Sequence, residues 1–238
     1  DASKLLDRWT GPLDQGFAIR IEHEGSTIIK SLQANDWDEV SFEATYPMAT
    51  IRYINKEIPL AITLQAYSPF IPLNAEDSGL PVTILSFFIE NKTQAAARVT
   101  LVGWLENKSS LYSANSEEYF RVNEAFQNEG WSGVMGSSSS YNWVDEAFVH
   151  AADYGNFFLA SFNDNTKVNT DAQADKSDTF FDTENTKRSK IEQRKAISSV
   201  SNAVMIAPGA KAEFNYAIPW YFPNLSFELL KKEGGRYY

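Results

Sequence analysis

The chain has 238 residues, 43% hydrophobic and 14% aromatic, with a formal charge of −10 and a pI near 4.8. That length and apolar content can fill one large core or two small ones and exclude a disordered chain, while the charge argues against sequence-independent binding to nucleic acid. The absence of cysteine excludes disulfides, thiolate metal sites and a cysteine nucleophile.

In chain order, "GFAIRIEHEGSTIIKSL" predicts a hairpin: Phe17, Ile19 and Ile21 alternate and "EHEGS" turns. "VSFEATYPMATIRYINKEIPLAITLQAY" continues with period two, placing Ile58, Leu60, Ile62 and Leu64 on one face. Pro47 and Pro59 belong at strand ends or edges, since proline cannot donate to a ladder. "SPFIPLNAEDSGLP" then reads as a stiff connection carrying the chain from one sheet to the other. It should bury Phe70, Ile71 and Leu73 beneath it or present them to a neighbouring domain.

"PVTILSFFIEN" is apolar on both faces, as for a central strand buried on two sides. With "ARVTLVGWLEN" it makes a strand–Asn–turn–strand pattern. Between Leu111 and Trp143 the sequence suggests a short helix followed by a flexible tract, Gly133 to Ser140. "NFFLASFND" is a strand, and the polar stretch after it, to about Lys195, reads as a long loop excursion. "APGAKAEFNYAIPWYF" closes the series with Phe214, Tyr216, Ile218, Trp220 and Phe222 in alternation. The expected fold is all-β: a large antiparallel β-sandwich with long loop excursions and at most a few short helices, forming a single domain over 1–238. No apolar run approaches the ~20 residues of a membrane-spanning helix.

Chemistry is sparse. His23 and His150 lie in strand-like segments and lack the spacing of a zinc helix. Asp171, Asp175, Asp178 and Asp182 would share a helical face, but the run lacks the turn glycine and terminal glutamate of a calcium loop. Glu76 and Asp77 suit a turn or a helix cap. No catalytic, metal or cofactor-binding residue can be assigned. Trp104 and Trp220 read as core, whereas Trp131, Trp143 and Tyr221 are candidates for stacking against a carbohydrate.

"FEATYPMATIRY", "IPLAITLQAYSPFIPLNAEDSGLPVTILSFFIENKT", "VTLVGWLEN" and "APGAKAEFNYAIPWYFPN" resemble, in order and spacing, the N-terminal domain of glycoside hydrolase family 116. These are the β-glucosidases and bile-acid β-glucosidases (non-lysosomal glucosylceramidases). The resemblance implies a β-sandwich that packs against a C-terminal (α/α)6 barrel of the same polypeptide, the barrel holding the nucleophile Glu and the acid/base Asp. No such barrel can be built from this sequence. The chain is therefore expected to be a non-catalytic, cofactor-free supporting domain of a longer glycosidase. Two alternatives stand beside it: a stand-alone carbohydrate-binding sandwich, and a complete small hydrolase with a carboxylate pair in its acidic loops. The chain opens on Asp1 rather than Met, which with a neutral-sugar ligand favours a secreted or periplasmic protein.

Overall fold

The computed structural model describes residues 13–58, 60–111, 113, 119–141, 146–172, 180–181, 184–192, 195–227 and 232–235. Among the described residues, sixteen strands follow in chain order: β1 (Gln15–His23), β2 (Ser26–Ser31), β3 (Glu39–Thr45), β4 (Met48–Ile54), β5 (Leu60–Tyr67), β6 (Val82–Asn91), β7 (Ala97–Glu106) and β8 (Tyr119–Asn128). Then come β9 (Trp131–Ser140), β10 (Asn156–Ser161), β11 (Lys167–Ala172), β12 (Arg188–Ile191), β13 (Ile197–Ile206), β14 (Lys211–Tyr221), β15 (Asn224–Phe227) and β16 (Lys232–Gly235). Among the described residues, helix is limited to short turns such as Ala75–Ser78 and Glu146–Val149.

Two sheets face each other. One has five strands in the order β11-β13-β7-β1-β2, the other nine in the order β12-β8-β9-β10-β14-β6-β5-β4-β3. Their pairings are antiparallel throughout. Period-two alternation fills the space between them: Ile58, Leu60, Ile62 and Leu64 are buried, as are Phe87, Ile89, Phe214 and Tyr216. Phe17 from the smaller sheet reaches Phe87 and Tyr216 of the larger one, with ring centroids 4.8 and 5.1 Å apart. Each fully buried side chain of this size contributes roughly 1.5–3 kcal/mol of transfer free energy. The Tyr216 hydroxyl donates to the Leu101 carbonyl at 3.0 Å, so its polar end is satisfied in the core. Burial pushes this phenol well above the ordinary tyrosine range, so it stays a donor.

Several expectations change. β5 and β6 are direct antiparallel neighbours in the nine-stranded sheet, so "SPFIPLNAEDSGLP" does not cross between sheets. The crossing occurs one strand later, because β6 lies in the larger sheet and β7 in the smaller. Asn91 fixes it. Its carboxamide donates to the carbonyls of Ala95 and Ile206 (2.8 and 2.9 Å) and accepts from the Thr93 backbone N–H at 2.9 Å. β7 ends in the same way: Asn107 accepts from the Ser109 N–H at 3.0 Å and donates to the Val122 and Ser137 carbonyls.

Gly133–Ser140 is no flexible tract but part of β9, paired on both sides by β8 and β10. Its small residues permit close approach. A Cβ on Gly133 would collide with the Leu159 carbonyl oxygen and come within 2.9 Å of the Ala160 Cα, and one on Gly136 would lie 2.7 Å from the Asn107 side chain. The polar excursion after β10 contains β11 and β12. Asp171 lies in β11 rather than on a helix, and Asp175, Asp178 and Asp182 lie outside the described residues. Pro47 occupies the β3–β4 turn as expected; Pro59 lies outside the described residues. β6 is central, but on its second face Ile84 and Phe88 are only half-buried.

Trp104 packs on the outer face of the smaller sheet rather than between the sheets. It stacks on Phe180 at 5.5 Å and donates to Asp14 at 3.0 Å. His23 meets Thr93 Oγ1 at 3.0 Å, joining two turns, while His150 is exposed just past the Glu146–Val149 helical turn, not in a strand.

Candidate functional site

The β3–β4 turn, the connection from β5 to β6, and the ends of β10 and β14 gather at one end of the sandwich, because Met48, Tyr67 and Ile84 share a register row and Trp220 N–H donates to the Pro81 carbonyl at 3.0 Å. The connection is shaped by its own residues. Asn74 caps the Ala75–Ser78 turn by accepting from the Asp77 N–H at 3.1 Å. Ser78 Oγ holds both the N–H and the carbonyl of Ile71, at 2.8 and 3.0 Å. Glu76 and Asp77 thus occupy the first helical turn, where the Asp77 carboxylate accepts from the Asn74 carboxamide at 2.6 Å.

Asn74 N–H donates to the Ile71 carbonyl at 3.0 Å, closing a four-residue turn with Pro72 second and Leu73 third. Leu73 has φ of +65°, in the third position where a type II turn calls for glycine or asparagine. The left-handed conformation costs a residue with a side chain roughly 1–2 kcal/mol. Burial of its own side chain does not offset that cost, because Leu73 is fully exposed at 108%.

Other apolar groups crowd the same end. Tyr46 is 77% exposed and meets Phe70 edge to face at 5.0 Å. Ile71 and Leu80 are about half exposed (47% and 50%), and Tyr221 stands open nearby. Phe70, Ile71 and Leu73 are therefore not buried beneath their loop. They are presented together to solvent. Behind them a largely apolar cavity of about 450 Å3 opens between the sheets, lined by Leu13, Phe17, Leu85, Phe157, Ile218 and Trp220.

The carbohydrate candidates do not converge. Tyr221 pairs in register with Asn156, whereas Trp131 sits at the β8–β9 hairpin beyond Ser132 and Ser161. That separates them by roughly 20 Å along the strands. Trp131 is half-buried, edge-on to Phe158 at 5.5 Å, and Trp143 lies outside the described residues. Sequence reasoning missed Tyr46, Leu80 and the cavity; the exposed dipeptide Tyr46–Pro47 at a strand junction was the available signal for the first.

Near the cavity mouth, Asp14 accepts from Trp104 and from Lys195 Nζ at 2.9 Å, and its N–H donates to Glu106 Oε2 at 3.0 Å. Burial alone would raise the Asp14 pKa, but the hydrogen bonds from Lys195 and Trp104, with the Lys195 and Lys108 charges, hold it below the usual range. Both carboxylates are thus committed to joining β1 to β7. No group of three or more His, Asp or Glu side chains that could hold a metal occurs among the described residues.

A family model described as beta-glucosidase 2, glycosyl-hydrolase family 116 N-term, matches residues 6–238. No curated protein sequence matches. Among solved structures, a putative kojibiose phosphorylase from human microbiome is 10% identical over 85% of this chain, with a TM-score of 0.40. A polysaccharide lyase is 8% identical over 87% (TM-score 0.42), and a GH36 alpha-galactosidase from Geobacillus stearothermophilus is 12% identical over 88% (TM-score 0.33). The chain spans only 21%, 26% and 32% of these three proteins, and likeness at this level says nothing about activity.

Proposed function

The chain belongs to the N-terminal-domain family of glycosyl-hydrolase family 116, and on that premise we propose that it is the non-catalytic half of a β-glucoside-cleaving enzyme whose apolar end seats a helical catalytic domain of the same polypeptide. The observation that carries this reading is Leu73, held in an unfavourable backbone conformation with its whole side chain in water. Backbone strain of this kind clusters at functional sites and contact surfaces. Tyr46, Phe70, Ile71 and Leu80 surround it, making an apolar patch suited to protein contact. In this role the sandwich supplies a rigid platform, and the acid/base chemistry belongs to the partner domain.

The test uses the complete reading frame. The whole polypeptide should hydrolyse an aryl β-glucoside and residues 1–238 alone should not. The paired changes Phe70→Asp and Leu73→Asp should impair the whole enzyme or uncouple its two melting transitions, yet leave the melting temperature of residues 1–238 unchanged. Turnover by the chain alone, or indifference of the whole enzyme to both changes, would refute the reading.

A further inference from the structure

We propose that β3, at the edge of the nine-stranded sheet, pairs with β3 of a second copy of this chain, so that two sandwiches share one continuous sheet about a two-fold axis. Among the described residues β3 stands last in the strand order of that sheet. Its register fixes which way it faces. Phe42 lies opposite Ile51, Ile51 opposite Leu64, Leu64 opposite Phe87 and Phe87 opposite Phe214. Directly opposed residues share a face. Leu64, Phe87 and Phe214 are buried between the sheets, so Phe42 also sits on the core-facing side. It is nevertheless 66% exposed, so this apolar row runs out from under the smaller sheet before it ends. Val40 and Ala44 share the side of Phe42, with polar residues between them. An edge strand of this pattern, without the lysine or proline that guards open edges, is a template for another strand.

The sequence of β3 selects both partner and register. Pairing centred on Phe42 overlaps all seven residues of the strand. It sets Phe42 against its own copy, Val40 against Ala44, Ser41 against Glu43 and Glu39 against Thr45. Large thus meets small beside the axis, and no acid meets an acid. A two-fold sheet that keeps both apolar sides together can slip only by moving its centre to another residue. Centred on Ser41, the pairing sets Glu39 against Glu43; centred on Glu43, it sets that glutamate against its own copy. Like charges directly opposite are destabilising, so the fully overlapped register is favoured over both neighbours. Arg52, 3.2 Å from Glu43 on β4, offsets the charge nearest the axis. An unrelated strand would have to match this pattern, whereas β3 already complements itself.

The chain has no cysteine, so a single introduced thiol reports the register. In the overlapped pair the two Cα atoms at position 42 lie roughly 4.5–5.5 Å apart, within disulfide reach, and those at position 39 roughly 20 Å apart. Phe42→Cys should therefore form a crosslinked dimer on mild oxidation, and Glu39→Cys should not. Sedimentation velocity should show a reversible dimer for residues 1–238 and for the complete polypeptide. Phe42→Lys should raise its dissociation constant at least about tenfold and leave the circular-dichroism spectrum unchanged. A monomeric chain, or equal crosslinking at positions 39 and 42, would overturn the proposal. So would a dimer lost on changing Phe70 and Leu73 to aspartate but indifferent to Phe42→Lys, which would place the contact at the apolar end. A complete polypeptide that stays monomeric would also overturn it and assign the edge to the other domain.

Discussion

Leu73 is a residue whose local interest and structural role conflict, and that conflict can be measured. Asparagine tolerates positive φ better than leucine, so Leu73→Asn should leave the isolated chain as stable or stabilise it by about 0.5–1 kcal/mol. Urea denaturation of residues 1–238 checks this, and a clear loss of stability would show that the leucine supports its own domain. Asp14 makes a prediction in pH. Its folded pKa is depressed, so its contribution is present above the unfolded value near 4 and is lost as pH falls through the lower folded value. Asp14→Asn should therefore cost on the order of 1 kcal/mol at pH 7, and the gap from the parent should close as pH drops below about 4. A gap that stays constant across that range would mean that the charge on Asp14 does not matter. Neither residue's role was legible beforehand: the strain at Leu73 is a backbone angle, and Asp14 acts through Trp104 and Lys195, which are 90 and 181 positions away.

Among the elements, β9 was the hardest to read. Glycine and serine in "GVMGSSSS" have the composition of a flexible linker, and composition carries no information about what lies alongside. In the folded chain Gly133 lets the β10 backbone approach, and Gly136 makes room for Asn107. Gly133→Ala should accordingly force β9 and β10 apart at a cost of about 2–3 kcal/mol, against the stabilisation that alanine brings at an unconstrained glycine. A variant at least as stable as its parent would show that the close approach is dispensable. The strongly alternating strands β5, β6 and β14 were legible, because their period of two is imposed by the pleat and needs no partner to be seen. Which sheet each joins was not. A long, proline-stiffened link, between β5 and β6, returns to the same sheet, while a short turn after Asn91 changes sheets. The difference lies in which hydrogen-bonding partners the flanking strands find, and those partners are distant in sequence.

For the whole molecule, the resemblance read from four stretches of sequence agrees with a family match over residues 6–238 and with the two-sheet architecture. The apolar end was anticipated in part through Phe70, Ile71 and Leu73; its extent depends on how β3, β4 and β14 terminate around them. One local device has a consequence for how the protein can be made. Asn91-Lys-Thr, Asn107-Lys-Ser and Asn224-Leu-Ser are acceptor triplets for N-linked glycans. Asn91 and Asn107 are fully enclosed, with carboxamide nitrogens that donate to backbone carbonyls, and the Asn224 nitrogen donates to the carbonyls of Val149 and Ala151. A secretory host that attaches oligosaccharide while the chain is still being threaded through its membrane would block the inter-sheet crossing before it could close. Yeast secretion should therefore yield glycosylated, misfolded chains, and inhibiting glycan transfer should restore a folded product with the same melting temperature as bacterial material.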